Sequence, residues 1–402
     1  MSALPDTLSQ GGDREPRRWP RRVAAAAVLV LAAVVIVQHL PRSRHSAPQP
    51  VRPAVTGTPL PAAGLAAEPD GITGQASPWP GGLRLPAAGP RPVWFWPATG
   101  QMVPIGGLPP QRSGYQFTRT AGGWAVQADP GVPAGCGSCA GPQRTVYFLA
   151  DNAAAVTRAG RADAVAPGTA GALWLTTYPP DADPRTTAGT AREVTTAGAP
   201  LGPQVRLPAG YLIDQATGRG LLLAPVTQAP RAMADKLWDP AAPQASRAFD
   251  SVIAASSTQI ASAAPCAARC RVQVLNLATG RQVSADLPAG RSVANAAFSP
   301  DGSFLVLQVS FGDSADGGDL AMELELLSMA SGRLTVVPGT WVSSDALVSF
   351  GWPASGDSLV AELTFTTKAQ LASWRPGATR PAIAVLRPQQ RAASLVIGQD
   401  GP

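Results

Sequence analysis

From about residue 94 onward the chain repeats a pair of short hairpins, and this repeat constrains its fold more than any other feature. One hairpin type is clearest at Phe298-Ser299-Pro300-Asp301-Gly302, followed by Phe304-Leu305-Val306-Leu307. The other is clearest at Val274-Leu275-Asn276-Leu277, then Ala278-Thr279-Gly280, then Arg281-Gln282-Val283. The two alternate at a period of about 45 residues, the length of one four-stranded propeller blade. Gly, Asn and Asp at the turns accept the tight backbone geometry that a short hairpin requires.

The second type recurs at seven places. Trp94–Trp96 leads into Thr99-Gly100, Tyr147–Leu149 into Asp151-Asn152, Val194-Thr195 into Ala197-Gly198, and Leu237-Trp238 into Asp239-Pro240. Val274–Leu277 leads into Thr279-Gly280, Leu324–Leu327 into Ser331-Gly332, and Ile383–Leu386 into Pro388-Gln389. Six copies of the first type lie between them, turning at Gly122-Gly123, near Gly171, at Gly218–Gly220, near Ser256-Ser257, at Asp301-Gly302 and at Gly356-Asp357. A weak partner, Trp79 to Leu85 with Gly81-Gly82, supplies the missing first hairpin. The expected fold is an all-β propeller of seven blades, with six as the alternative. Joining its two ends would hide strand edges that otherwise invite aggregation.

The segment Phe298-Ser299-Pro300-Asp301-Gly302 with Leu305 resembles the repeat core of TolB-type and WD-repeat-like bacterial propellers. The match is concentrated in that one blade, while the rhythm covers about 300 residues. The resemblance implies a propeller used for binding or scaffolding, in which Asp301 shapes the turn. It carries over no catalytic residue. Propellers also occur beside hydrolase domains, but the spacing leaves no room here for a second catalytic domain.

The net charge of +6 is unevenly placed. Residues 1–53 hold eight Arg against Asp6, Asp13 and Glu15, or +5; the remaining 24 basic and 23 acidic residues give +1. The repeat region is nearly neutral and has no basic stripe with interleaved aromatics, so no nucleic-acid partner is expected. Gly (41) and Pro (42) together suit many tight turns and disfavour long helices. Their excess, with Ala and Arg, fits a GC-rich bacterial coding sequence.

Val23 to Val37 is an unbroken apolar run, preceded by Arg17, Arg18, Arg21 and Arg22. It approaches the length of a bilayer span, and the arginines place its start in the cytoplasm. A cleaved signal peptide is the competing reading. No small-x-small site follows promptly, so an uncleaved signal anchor is favoured. The expected organisation is a cytoplasmic tail at 1–22, a transmembrane signal anchor at 23–40, a Pro/Ala-rich spacer at 41–78 and the propeller at 79–402. The spacer cannot bury enough surface to fold alone, and its prolines stiffen it.

The only histidines are His39 and His45, both outside the repeats. This removes Ser-His-Asp and Cys-His catalysis, and His-ligated metals, from the repeat domain. No cofactor and no metal site is expected. Four cysteines form two tight pairs, Cys136/Cys139 and Cys266/Cys270. An exported location favours local disulfides, with a Cys₄ zinc site and a redox pair as lesser alternatives. Asp313, Asp316 and Asp319 share a glycine-rich loop that could collect Ca²⁺, but their spacing fits a solvated connection better. Asp357 and Glu362 read as a turn residue and a strand-surface residue. Trp124, Trp174 and Trp352 read as packing between blades.

These readings combine into a single-pass, membrane-anchored, extracytoplasmic propeller, a non-catalytic platform for a protein or envelope component. The alternatives are a lyase or glycosidase using paired carboxylates at the channel mouth, and an envelope sensor acting through a membrane partner. Carboxylates and Arg gathered in the channel would favour the enzyme; an apolar patch on a face or blade edge would favour the platform.

Overall fold

The computed structural model describes residues 79–397, apart from 81, 112–113, 129–142, 227–232, 265–269, 312–320, 341, 344–346, 354–355, 365–368 and 387–393. The anchor at 23–40, the spacer, Asp313, Asp316 and Asp319 lie outside the described residues. Among the described residues no helix is long and apolar enough to cross a membrane.

The described strands pair antiparallel into seven sheets, each a blade. Blade 1 holds β1 (Leu85–Ala88), β2 (Val93–Trp96) and β3 (Gln101–Pro104). Blade 2 holds β4 (Tyr115–Thr120), β5 (Gly123–Ala128), β6 (Arg144–Ala150) and β7 (Thr157–Ala162). Blade 3 holds β8 (Ala164–Pro167), β9 (Leu173–Thr177), β10 (Thr190–Val194) and β11 (Val205–Arg206). Blade 4 holds β12 (Tyr211–Thr217), β13 (Gly220–Pro225), β14 (Asp235–Trp238) and β15 (Arg247–Phe249). Blade 5 holds β16 (Val252–Ala255), β17 (Gln259–Ala263), β18 (Arg271–Asn276) and β19 (Gln282–Asp286). Blade 6 holds β20 (Arg291–Phe298), β21 (Phe304–Phe311), β22 (Ala321–Ser328) and β23 (Leu334–Val336), and β24 (Val342–Ser343) pairs with the far end of β22. Blade 7 holds β25 (Leu347–Gly351), β26 (Leu359–Thr364), β27 (Ala369–Trp374) and β28 (Ala382–Leu386).

The sheet of blade 1 is completed from the other end of the chain. β29 (Ser394–Leu395) pairs with β1 through Ala87↔Leu395 and Ala88↔Ser394. The chain is therefore a seven-bladed propeller whose first blade takes its innermost strand from the C-terminal end. Two expectations need correction. The described residues between 79 and 84 form no strand, so among the described residues blade 1 has no first hairpin of its own. Ile383–Leu386 lies in the outermost strand of blade 7; the turn before it, at Arg375–Ala378 with Gly377 at φ +89, makes the outer hairpin. The Pro376-Gly377 pair marks that turn. The other hairpins lie where their turn residues place them.

Apolar clusters hold the blades together. Trp94 and Trp124 meet between blades 1 and 2, Leu173 and Ala125 between 2 and 3, and Trp174 and Trp238 between 3 and 4. Leu305 and Val272 meet between blades 5 and 6, Trp352 and Leu324 between 6 and 7, and Val360 and Leu85 between 7 and 1. Trp124, Trp174 and Trp352 thus pack blade on blade. The seam between blades 4 and 5 is more polar. Gly218 N donates to Ser257 O at 2.8 Å, Arg219 Nε to Leu277 O at 3.2 Å, and Val252 N to Asp235 Oδ2 at 3.0 Å.

The Phe298–Gly302 motif forms its turn as expected. Asp301 Oδ1 accepts from Ser299 Oγ at 2.6 Å and from Ser303 N at 3.0 Å, while Ser299 Oγ accepts from Phe304 N at 2.9 Å. Gly302 occupies φ +68, which a residue without Cβ adopts at no steric cost. These bonds, led by that from Ser299, hold the Asp301 carboxyl below its ordinary range.

Glu362 departs from its expected surface position. It shares a face of β26 with Val360, which packs in the seam between blades 7 and 1, and it is 5% exposed. Its Oε2 has no hydrogen-bond partner among the described residues, and burial pushes the carboxyl up to about 7. Because the folded value is raised, the fold favours the neutral form. The penalty is absent below the unfolded carboxylate value, grows as pH rises, and is complete above about 7. Glu362→Gln is expected to stabilise the protein at pH 8.5 by up to about 3 kcal/mol and to have little effect near pH 4. Denaturant titration of both proteins at the two pH values checks this; an equal difference at both would contradict it.

Candidate functional site: the central channel

A propeller's innermost strands surround its axis, so a cavity touching the innermost strands of many blades is the channel. Two such cavities meet here. The first, about 390 Å³, forms the mouth and is lined by turn residues of blades 2 to 7. Gly122, Gly168, Ser257, Pro300 and Trp352 are among them, and Phe298 and Ser299 of the repeat motif face it too. The second, about 380 Å³, lies deeper, between β4, β8, β12, β16 and β20. Pro167, Ala254 and Ala255 line both.

The innermost strands of four consecutive blades share an irregularity. Register shifts between Ile213 and Gln215, Val252 and Ala254, Val293 and Asn295, and Leu347 and Ser349 leave Asp214, Ile253, Ala294 and Val348 unpaired. Such bulges bend a strand and re-aim the extra side chain. In blades 4 and 5 the extra residue, Asp214 or Ile253, lines the deeper cavity. Three of the four are apolar, and Asp214 alone is charged.

Asp214 keeps exposed area yet has protein packed densely around it. Both hold for a side chain in a narrow, water-accessible channel. The enclosure first, and the charge of Asp235 second, push its carboxyl up to about 6. Asp235 begins β14 and lines the same cavity. Burial raises it as well, while the bond from Val252 N opposes the rise. The adjacent cation is not available to either acid. Lys236 alternates to the other face of β14, where its Nζ lies 3.8 Å from the Tyr211 ring centroid and burial lowers its pKa.

The charges at the mouth serve the framework instead. Arg119 grips Asp151 with both nitrogens, Nη2 to Oδ2 at 2.9 Å, and lies 4.9 Å from the Trp124 ring. Arg84 donates Nε to the Asp151 carbonyl at 2.6 Å and stacks 4.2 Å over Trp94. Among the described residues no cluster of three metal-ligating side chains occurs.

Of the four cysteines, Cys136, Cys139 and Cys266 lie outside the described residues. Cys270 is buried just before β18 and is disulfide-bonded. Asp357 is an exposed turn residue, as expected. The channel acids were not singled out from the sequence. The available signal was an acid between Ile213 and Gln215, in the middle of an innermost strand.

No protein-family model matches the chain, and no curated protein matches it. Among solved structures it is similar to TolB from Acinetobacter baumannii, with a TM-score of 0.39 and 12% identity over 64% of each chain. It is similar to an acylaminoacyl peptidase in complex with Z-Gly-Gly-Phe-chloromethyl ketone, with a TM-score of 0.48 and 10% identity over 76% of this chain and 50% of that one. The β-propeller domain of the Trilobed protease from Pyrococcus furiosus gives a TM-score of 0.47 and 8% identity, covering 74% of this chain and 86% of the other. The chain thus spans under two thirds of TolB and half of the peptidase. At these scores the blade count rests on the strand pairing within this chain.

Carboxyl-detected NMR titration is expected to place Asp214 near pH 6, and Asp235→Asn to move it down by removing a like charge. A wild-type midpoint in the ordinary carboxylate range would contradict the enclosure described above.

Proposed function

We propose that this chain is a binding propeller, held outside the cytoplasmic membrane by residues 23–40, whose channel receives a cationic group of a protein or envelope component. The observation that supports this reading is the Asp214 carboxyl, delivered into the channel by a bulge, with no cation beside it among the described residues that line the cavity. A Lys, Arg or amino-terminal group passing the mouth into the deeper cavity would meet two acids set beside the apolar Ile213 and Ile253. Pairing in that enclosure is stronger than at an open surface, because fewer waters compete for the charge. An apolar groove on the rim between blades 6 and 7, with Phe304, Leu326 and Trp374 among its lining, fits a platform as well.

The same acids support a second reading. Two carboxylates raised above their ordinary range can act as general acid and base, as a glycosidase requires. The absence of histidine from the repeats leaves such chemistry to carboxylates alone.

Fluorescence anisotropy with the full chain in detergent, and peptides differing only in lysine or norleucine, separates the readings. Lysine peptides are expected to bind at pH 7.5, to lose about tenfold in affinity in Asp214→Asn, and to weaken as pH falls through 6. Equal binding of lysine and norleucine peptides would contradict the proposal. Glycan cleavage that Asp214→Asn abolishes would move the enzyme reading ahead.

A further inference from the structure

A second groove lies far from the channel, on the rim between blades 2 and 3. Its origin is a bulge in β7, the outermost strand of blade 2. Arg158 faces Tyr147 and Gly160 faces Val146, so Ala159 is the extra residue. Ala159 drops into the core between the blades with Leu173 and Leu175. Gly160 lets β7 approach Leu175 closely, since a Cβ there would stand 2.6 Å from Leu175 Cδ1. The opposite wall comes from blade 3, where Arg192 pairs with Leu175 and Thr190 with Thr177, all on one face. The resulting cavity measures about 460 Å³, within the range of small-molecule sites.

The lining is selective. Arg158, Arg161 and Arg192 point into the groove beside Thr177, Thr190, Gln143 and Gln204, and no carboxylate lines it. All three arginines are exposed, and none forms an ion pair among the described residues. Elsewhere Arg119, Arg185, Arg271 and Arg291 each hold a carboxylate. A general basic excess does not account for the cluster, because residues 54–402 carry only +1. Three like charges gathered on one cavity repel one another, and an anion between them removes that repulsion. Arg161 is partly fixed, with Nη2 donating to Gln143 O at 2.9 Å. Thr177 and Thr190 join their hydroxyls at 3.0 Å and retain acceptor capacity toward the cavity.

We propose that this groove binds a phosphate-bearing polyol, with the phosphate among Arg158, Arg161 and Arg192 and the carrier hydroxyls against Thr177, Thr190, Gln143 and Gln204. Guanidinium groups match phosphate oxygens with paired, planar donors, and three of them can serve the three free oxygens of a monoester. A single carboxylate needs only one such fork. Hydroxyl and amide side chains beside the arginines suit a hydroxylated carrier. The concave shape does not fit a flat bilayer surface. The site is independent of the channel and takes a ligand of opposite charge.

Isothermal titration of the full chain in neutral detergent, with glycerol 3-phosphate, poly(glycerol phosphate), inorganic phosphate and glycerol as probes, tests this. Glycerol 3-phosphate is expected to bind at one site, more tightly than inorganic phosphate, while glycerol alone does not bind. Arg158→Gln with Arg192→Gln should weaken it at least tenfold without changing the thermal midpoint, since both side chains are exposed. Arg161→Gln alone should weaken it less. Asp214→Asn in the channel should leave it unchanged. Tighter binding of the polymer than of the monomer would identify a phosphate-linked chain as the source; the reverse would identify a free polyol phosphate. No binding of any phosphate probe, or binding that survives the double substitution, would overturn the proposal. Equal affinity for inorganic phosphate would remove its polyol half.

Discussion

Blade 1 owns only three strands, and the fourth arrives from the other end of the chain as β29. The backbone latch is short, two residue pairs with β1 and one further bond from Val396 N to Pro86 O at 2.9 Å. Side chains supply most of its hold. Leu395 and Ile397 enter the cluster shared by blades 7 and 1, while Val396 enters the cluster shared by blades 1 and 2. One short strand therefore plugs both seams of the first blade. Burying three such aliphatic side chains contributes about 2 kcal/mol each, far more than the few exposed-edge hydrogen bonds alone. The channel depends on this latch, because an open ring has no defined channel.

The polar chemistry sits where the apolar packing gives way. Six of the seven seams are filled by buried hydrophobic clusters among the described residues, and the remaining seam, between blades 4 and 5, carries Asp235 and lies next to Asp214. The rim groove likewise lies beside a bulge, where Gly160 lets β7 approach Leu175 closely. In the channel a bulge aims the extra side chain, Asp214, into the cavity, whereas at the rim the extra residue, Ala159, drops into the core beside the groove. Glu362 is a carboxyl enclosed in an apolar seam, and it tunes stability with pH.

Turn chemistry made most of the ring legible from sequence. Asp301-Gly302 and Thr279-Gly280 are strong local signals, and local signals suffice to place hairpins. The closing strand was invisible for the converse reason: a two-residue strand with no adjacent partner has no local signature. Ile383–Leu386 was given the wrong place in its blade because its apolar residues fit a third strand as well as a fourth, and only the Pro376-Gly377 turn separates the two. Glu362 was misplaced because alternation along Leu359–Thr364 shows which residues share a face, but not that both faces of a blade are covered. The acids at 214 and 235 lie on different strands, and so do the arginine pair at 158 and 161 and the arginine at 192. Pairing register brings them together, and that register is not encoded in spacing along the chain.

Cysteines introduced at positions 87 and 395 would test the ring directly, because those residues face each other across the latch. Mild oxidation of the Ala87→Cys, Leu395→Cys protein should give a rapid intramolecular crosslink, seen as a mobility shift without reductant. A control pair at 87 and 385, the latter on the outer strand of blade 7, should not crosslink. Failure of the first pair, or equal reaction of the control, would contradict closure by the C-terminal strand and with it the channel on which the functional reading rests.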